Sequence, residues 1–540
     1  MAPTASIRAA DALARRLYSA GCRFAFGMPG GEVLTLVDAL EAAGIRFVLA
    51  KHENAAAFMA EGAHHRTKAP AILVATIGPG AMNGVNAVAN ALQDRVPMVV
   101  LTGCVDAEEA QIYTHQVLDQ QAVFRPITKA SFSLVPGAAH VIADKAIAIT
   151  TEGRPGPVHI DVPIGVADVP VPADPPAPRR DASVTAPTGA DLDTARGWLA
   201  EAERPVMIVG VDAMNQGAEA AIHRVAKTFG IPVITTYKAK GMLAEDHPMS
   251  LGGAGLSPLA DTHLLPLVRR ADLVLCVGYD PIEMRPGWRN VWDPRRQNVI
   301  DITAEPNHHY MHQGTLNFVA DCGATLAAFM DGVKPKPTWP EGEIESTRQA
   351  LADAFPTGET WGPGAIMELC RTMLPRDALA TADSGAHRIL LSQMWTCYEP
   401  RALMQSSALC TMGCAIPLAI GAALASPDRP VISFSGDAGA LMVAGELATA
   451  AELGVTPVFL VFVDASLALI ELKQRSRQMK NRGVDFGHHD FAALGRSLGG
   501  QGHTVKNRAE LENALTAALS ADTFTVIAAQ IERGAYDGRI

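Results

Sequence analysis

The chain has 540 residues, enough for three or four domains at about 150 residues each. With 48% apolar and 19% charged residues it has an ordinary globular balance, which excludes a disordered chain. A net charge of −11 argues against a nucleic-acid partner, which needs a basic face, yet leaves room for an anion held by backbone N–H groups and a metal.

The first residues, MAPTASIRAADALARRLYSAG, set Arg and Asp among apolar positions and read as an amphipathic helix rather than a signal peptide. AILVAT (71–76) and MVVLTG (98–103) are apolar runs of the kind found in buried parallel strands, and NGVNAVANALQD between them has helical spacing. A Pro-rich stretch at 168–186 and another at 331–342 resist helix and central strand, so both are expected to be extended linkers. They divide the chain into 1–167, 187–330 and 343–540. The middle third repeats the pattern with PVMIVG (205–210), IPVITT (231–236) and DLVLCVG (272–278), and the last with PVISFSG (430–436) and VFLVFVD (458–464). Strand–helix–strand units of this kind predict an α/β protein of three doubly wound domains with mostly parallel sheets. No run of about 18 apolar residues occurs, so no membrane span or membrane partner is expected. The eight Cys residues form no paired CxxC motifs and read mostly as reduced core residues of a cytoplasmic protein.

In doubly wound sheets, ligands bind beyond the carboxyl ends of the strands. PVISFS ends in Gly436-Asp437-Ala438-Gly439, the helical stretch ALMVAGELATAAELG follows, and VFLVFV ends in Asp464-Ala465-Ser466. Two Asp residues thus stand at the ends of neighbouring strands of one βαβ unit. Such carboxylates can share a hard cation such as Mg²⁺, which prefers oxygen ligands and substrate phosphates. The small residues after Asp437 allow backbone N–H groups to approach a phosphate. Taken alone, Asp437 could equally cap its helix.

GDAG followed, after a gap in the twenties, by VDAS resembles the thiamine diphosphate signature. FGMPGGEV, KHENAAAFMAEG, GPGAMNGVNAVANA, RPGPVHIDVP and TMGCAIPLAIGA resemble segments of the acetolactate synthase group, in the same order and over most of the chain. THQVLDQQAVFRPITK, VGYDPIEMRPGW and Asp464 are most similar to its catabolic, flavin-free branch.

This resemblance implies thiamine diphosphate held through Mg²⁺, with Asp437 and Asp464 as side-chain ligands and Ser466 giving its carbonyl. Gly436, Ala438 and Gly439, with Gly385, Ala386 and His387 of SGAHR, would meet the diphosphate. Met412 would prop the cofactor in a bent shape, and Cys410 would offer its carbonyl to the pyrimidine amine. Glu53 would exchange a proton with the pyrimidine and so activate the thiazolium carbon. Pro29 and Asn83 would lie near that ring. Gln116 and Lys129 would stand near the substrate, where an amide and an ammonium suit a 2-oxo acid carboxylate. In this superfamily the glutamate and the metal site come from different subunits, so a homodimer or homotetramer is implied. The strand after DLVLCVG runs into Tyr279-Asp280-Pro281-Ile282-Glu283, unlike flavin-dependent relatives, so no FAD is expected. Ala438, Asp464, Cys410, Lys473 and Met28 depart from the usual pattern and leave the substrate open. The function implied is decarboxylation of pyruvate and joining of the fragment to a second 2-oxo acid. A simple 2-oxo acid decarboxylase, a carboligase with another acceptor, and a non-catalytic assembly module are the alternatives.

Overall fold

The computed structural model describes residues 5–174, 177 and 185–540. Three six-stranded sheets, every pairing parallel, form the centres of three α/β units. The first contains Phe24–Met28, Arg46–Leu49, Ala71–Ala75, Met98–Cys104, Ala130–Ser133 and Pro157–Pro163. The second contains Pro205–Val209, Val233–Thr236, Ser250–Ala254, Leu273–Val277, Asn298–Thr303 and Leu316–Val319. The third contains Leu379–Ala382, Leu403–Gln405, Val431–Gly436, Val458–Val463, Gln501–Val505 and Thr525–Gln530. Numbered within each sheet by chain order, the strands of the first and third sheets run 2-1-3-4-6-5 and those of the middle sheet 3-2-1-4-5-6. The continuous Val/Ile/Leu runs form strands because helices cover both faces of each sheet, so a polar residue on either face would be buried.

The helices Glu53–Thr67 and Ala415–Ala425 pack against each other and weld the first and third units into one core. Both crossing points are glycines. A Cβ on Gly62 would lie 2.2 Å from the Leu418 carbonyl oxygen, and one on Gly421 would lie 1.9 Å from that of Met59. Only glycine permits this approach of two backbones.

The linkers differ from expectation. Residues 1–4, 175–176 and 178–184, which include much of the first Pro-rich stretch, lie outside the described residues. Earlier in that stretch, Pro170–Pro172 is a strand paired antiparallel with Ser6–Arg8, an edge position that proline tolerates. The second stretch is strapped to the middle unit: Trp339 is buried, and its Nε1–H donates to the Pro205 carbonyl at 2.7 Å. The helix Glu343–Ala354 that follows packs Ile344 and Leu351 on the middle unit's core. The layers covering the third sheet therefore begin with Pro363–Met373, later than the boundary at 343. ALMVAGELATAAELG is not one helix but two, Asp437–Met442 and Glu446–Leu453, broken at 443–445, where Gly445 precedes an inward-facing Glu446. No helix among the described residues is long and apolar enough to cross a membrane.

Candidate active site

Asp437 is the first residue of the helix that follows the strand Val431–Gly436. Its Oδ1 accepts from Ala438 N at 2.8 Å, and its Oδ2 from Ala465 N at 2.7 Å and Asp464 N at 3.2 Å. The next strand delivers Asp464, whose Oδ1 accepts from Ser466 N at 3.2 Å. Ala465 between them has φ 54°, a left-handed turn that returns the chain towards Asp437. Burial, then the charge of Asp437, pushes the Asp464 carboxyl up to about 7, and burial raises that of Asp437. Two such carboxyls repel unless a cation lies between them, and an all-oxygen donor set suits a hard divalent ion. Among the described residues no cluster of three or more His, Cys, Asp or Glu side chains forms a metal site; this one would rest on two carboxylates and a carbonyl.

Glycines open the space beside these acids. The His387 ring stands against Gly385 and Gly436 and stacks on Phe462 at 5.6 Å. It is buried, its Nε2 has no hydrogen-bond partner, and burial pulls it down to about 3, so it is neutral. A Cβ on Gly439 would fall 1.8 Å from Asp383 Oδ2. Ala438 sits within the helix without a positive φ, which accommodates the departure from glycine.

Asp383 is a site residue the sequence analysis missed. It ends the strand Leu379–Ala382, is wholly buried, and its Oδ1 accepts from Ser384 N at 2.9 Å and Cys414 N at 3.2 Å. It thus fixes the SGAHR turn and the loop of Met412 together, and burial pushes it up to about 6. Its position directly before SGAHR was the available signal. Arg388, also buried, donates to the Ser406 carbonyl and to Cys410 Sγ, the latter at 3.1 Å. Lys238 of the middle unit bridges Glu61 at 3.3 Å and Asp94 at 3.0 Å, and Asp94 accepts from Ser407 N and Ala408 N. All three units therefore hold the loop leading to Cys410. Met412 lies on that loop before the helix Ala415–Ala425.

A cavity of about 250 Å³ opens at this place. Gly385, Ala386, His387, Cys410, Met412, Gly436, Asp437, Ala438, Gly439, Asp464 and Ser466 all line it, together with Leu467, Ile470 and Tyr536, which the sequence did not signal.

The first unit carries a second cluster. Glu53 is the first residue of its helix, capped by His52, and is 4% exposed. Its Oε2 accepts from Asn83 Nδ2 at 2.9 Å, and a Cβ on Gly80 would lie 3.0 Å from its Oε1. Glu446 of the third unit accepts from Lys51 N at 3.0 Å, which holds the turn before Glu53. Gln116 has φ 59° and its backbone packs on Gly78, beside that cluster. Gln120, unnoticed in the sequence, is buried and anchors this loop: its Oε1 accepts from Gly78 N at 3.0 Å and its Nε2 donates to Asp161 Oδ1 at 2.7 Å. Pro29 is exposed just past the strand Phe24–Met28.

Lys129 is the correction. It immediately precedes the strand Ala130–Ser133, at the amino end of the sheet, whereas Gln116 packs at its carboxyl end. Its ammonium donates to the carbonyls of Glu152 at 2.6 Å and Arg154 at 2.8 Å, and burial pulls its pKa down. The structure does not bring it to the site.

Glu53, Asn83, Gln116 and Pro29 do not line the cavity of their own chain. Both clusters have exposed apolar neighbours: Ile112 (81%) and Leu118 (50%) in the Gln116 loop, and Met442 (62%) and Ile470 (43%) near the cavity.

Comparison with known proteins matches three domain families of thiamine pyrophosphate enzymes. The N-terminal TPP binding domain matches residues 7–123, the central domain 192–329, and the C-terminal TPP binding domain 383–529. The acetolactate synthase of Bacillus subtilis is 31% identical over 96% of this chain and 92% of its own length. The catabolic acetolactate synthase of Raoultella terrigena is 28% identical over 97% and 95%. A probable 2-ketoarginine decarboxylase of Pseudomonas aeruginosa is 29% identical over 98% and 94%.

Proposed function

The chain belongs to the thiamine pyrophosphate enzymes of the acetolactate synthase group, and from that premise we propose that it is a carboligase that uses Mg²⁺ and thiamine diphosphate to decarboxylate pyruvate and join the fragment to a second 2-oxo acid. The observation that carries the reading is the convergence of Asp437, Asp464, the glycine cradle and the unpartnered His387 nitrogen on one cavity.

Asp437, Asp464 and the Ser466 carbonyl would hold the metal, and the backbone N–H groups of 436–439 and 385–387 would receive the diphosphate. Met412 and Cys410 would set the cofactor's bend. When bound, the cofactor supplies an electron sink next to the substrate carbonyl, which lets carbon dioxide leave. Glu53 then has one task, to hold a proton at the pyrimidine nitrogen, and its bond from Asn83 keeps the carboxyl in place. Gln116 would orient the substrate carboxylate. A dry cleft keeps water from intercepting the reacting carbon.

Because Glu53 does not line the cavity of its own chain, the working site takes the partner subunit's Glu53, in a homodimer or homotetramer. The exposed apolar side chains around both clusters support this, since such groups are what an assembly covers. The proposal that no FAD binds rests on the Tyr279-Asp280-Pro281-Ile282-Glu283 run, which is unlike flavin-dependent relatives.

A second reading, a 2-oxo acid decarboxylase, is favoured by the likeness to the probable 2-ketoarginine decarboxylase. Product analysis decides between them. The enzyme loaded with cofactor and Mg²⁺ is expected to turn pyruvate into acetolactate, and to stop when a chelator removes the metal. Acetaldehyde as the main product would favour the second reading. No carbon dioxide from any 2-oxo acid would defeat both.

A further inference from the structure

The chain leaves the cavity wall at Ile470 and comes back at Val484 to bond the wall residue Leu467, and between them it carries Lys473, Arg475, Arg477, Lys480 and Arg482 in a protein of net charge −11. The departure is the helix Ala468–Ser476, whose first residues line the cavity. The return is fixed by backbone: Leu467 N donates to the Val484 carbonyl at 2.8 Å, and Phe486 N to that of Ala465 at 3.2 Å. Gln474 closes the excursion, its Nε2 donating to the Arg482 carbonyl at 2.9 Å. The basic segment is therefore a built part of the cavity rim.

Residues three and seven positions on from Ile470 share its helix face, which places Lys473 about 4.5 Å further along the axis and Arg477 at the helix end. Both are exposed. The acids of the rim are already engaged: Glu471 with Arg533 at 2.9 Å, Asp537 with Arg475 at 2.6 Å, and Asp485 with Arg533 and Asn481. Among the described residues no carboxylate lies within 4.0 Å of Lys473, Arg477, Lys480 or Arg482. Cations already paired with carboxylates would draw no further anion; unpaired ones next to a cavity mouth attract an anion that enters it.

We propose that Lys473, with Arg477 one turn beyond it, selects as acceptor a 2-oxo acid bearing a second anionic group at its far end, a 2-oxo dicarboxylate. This rests on the carboligase reading, in which the acceptor's own 2-oxo acid group occupies the reacting end and its remainder points to the rim. Pyruvate, as donor, has nothing for Lys473 to meet.

Internal competition tests it. The cofactor-loaded enzyme receives pyruvate with equal amounts of 2-oxoglutarate and 2-oxopentanoate, acceptors of equal chain length, and mass spectrometry gives the ratio of the two products. At low salt the dicarboxylate product is expected to lead by about five-fold, the scale of one exposed ion pair, and the lead should shrink in concentrated salt. Lys473→Met should bring the ratio to about one, while Lys473→Arg keeps most of it. A wild-type ratio of one or less, or a lead that Lys473→Met leaves intact, overturns the proposal. If pyruvate yields no carbon dioxide at all, the carboligase reading fails instead, and calorimetry on the loaded protein takes over. Salt-sensitive binding of 2-oxoglutarate ahead of 2-oxopentanoate, lost in Lys473→Met, then upholds the anion site, and equal binding refutes it.

Discussion

In the third unit the strand Val431–Gly436 runs straight into Asp437, while in the first unit the strand at the same place of the same sheet order, Ala71–Ala75, runs into Gly78 and Pro79. One step along, the positions exchange roles. The helix after the first unit's second strand begins with Glu53, and the matching place in the third unit is the Cys410–Met412 loop ahead of Ala415–Ala425. The two helices meet through reciprocal glycines, Gly62 on Leu418 and Gly421 on Met59. In the proposed function the same scaffold would thus present a proton-exchanging acid from one copy of the plan and cation-binding acids from the other. The middle unit, with its different strand order, supplies ties such as Lys238 rather than a share of the cavity lining.

The largest effect should come from Asp437→Ala, which removes a carboxylate held by three backbone N–H groups; activity and metal binding, followed by calorimetry, are both expected to vanish. Glu53→Gln separates the two halves. It should cost about 10²–10⁴-fold in kcat, the usual share of a proton-transfer group, yet leave metal and cofactor affinity nearly intact. Equal loss of binding in both variants would erase the division of labour drawn above.

The next two act on the frame. Gly421→Ala forces a methyl into the Met59 backbone, which cannot step aside, and should cost about 3 kcal/mol in denaturant unfolding, the upper end of overpacking. Gln120→Leu strands Gly78 N–H and one bond to Asp161, for about 1–3 kcal/mol. The smallest effect belongs to Asp464→Asn. An amide oxygen would still ligate, and a neutral side chain escapes both the burial cost and the Asp437 repulsion that together push Asp464 up to about 7, so activity should stay within about ten-fold of wild type.

The strands were legible because parallel strands buried on both faces are unbroken apolar runs, as in VFLVFV and AILVA. Asp437 and Asp464 were legible as acids at the ends of neighbouring strands, whereas Gly385, Ala386, His387, Cys410 and Met412 were legible only through the family resemblance. What escaped depends on partners far along the chain. Glu446 finds its role only through Lys51, and Asp383 only through Cys414. Lys129 misled for the opposite reason: its type suits a carboxylate, but lying one residue ahead of a strand puts it at the wrong end of the sheet. The break at 443–445 was hidden in an Ala-rich stretch whose composition favours one continuous helix.

The central claim is that the partner subunit's Glu53 completes the cavity of this chain. Mixing the two inactive variants, Glu53→Gln and Asp437→Ala, after subunit exchange tests it most directly. A mixed dimer then holds one site with both acids, so activity should return to about a quarter of wild type at equal proportions. If both acids had to come from one chain, no mixture could exceed the residual activity of its parents, and that result would contradict the account.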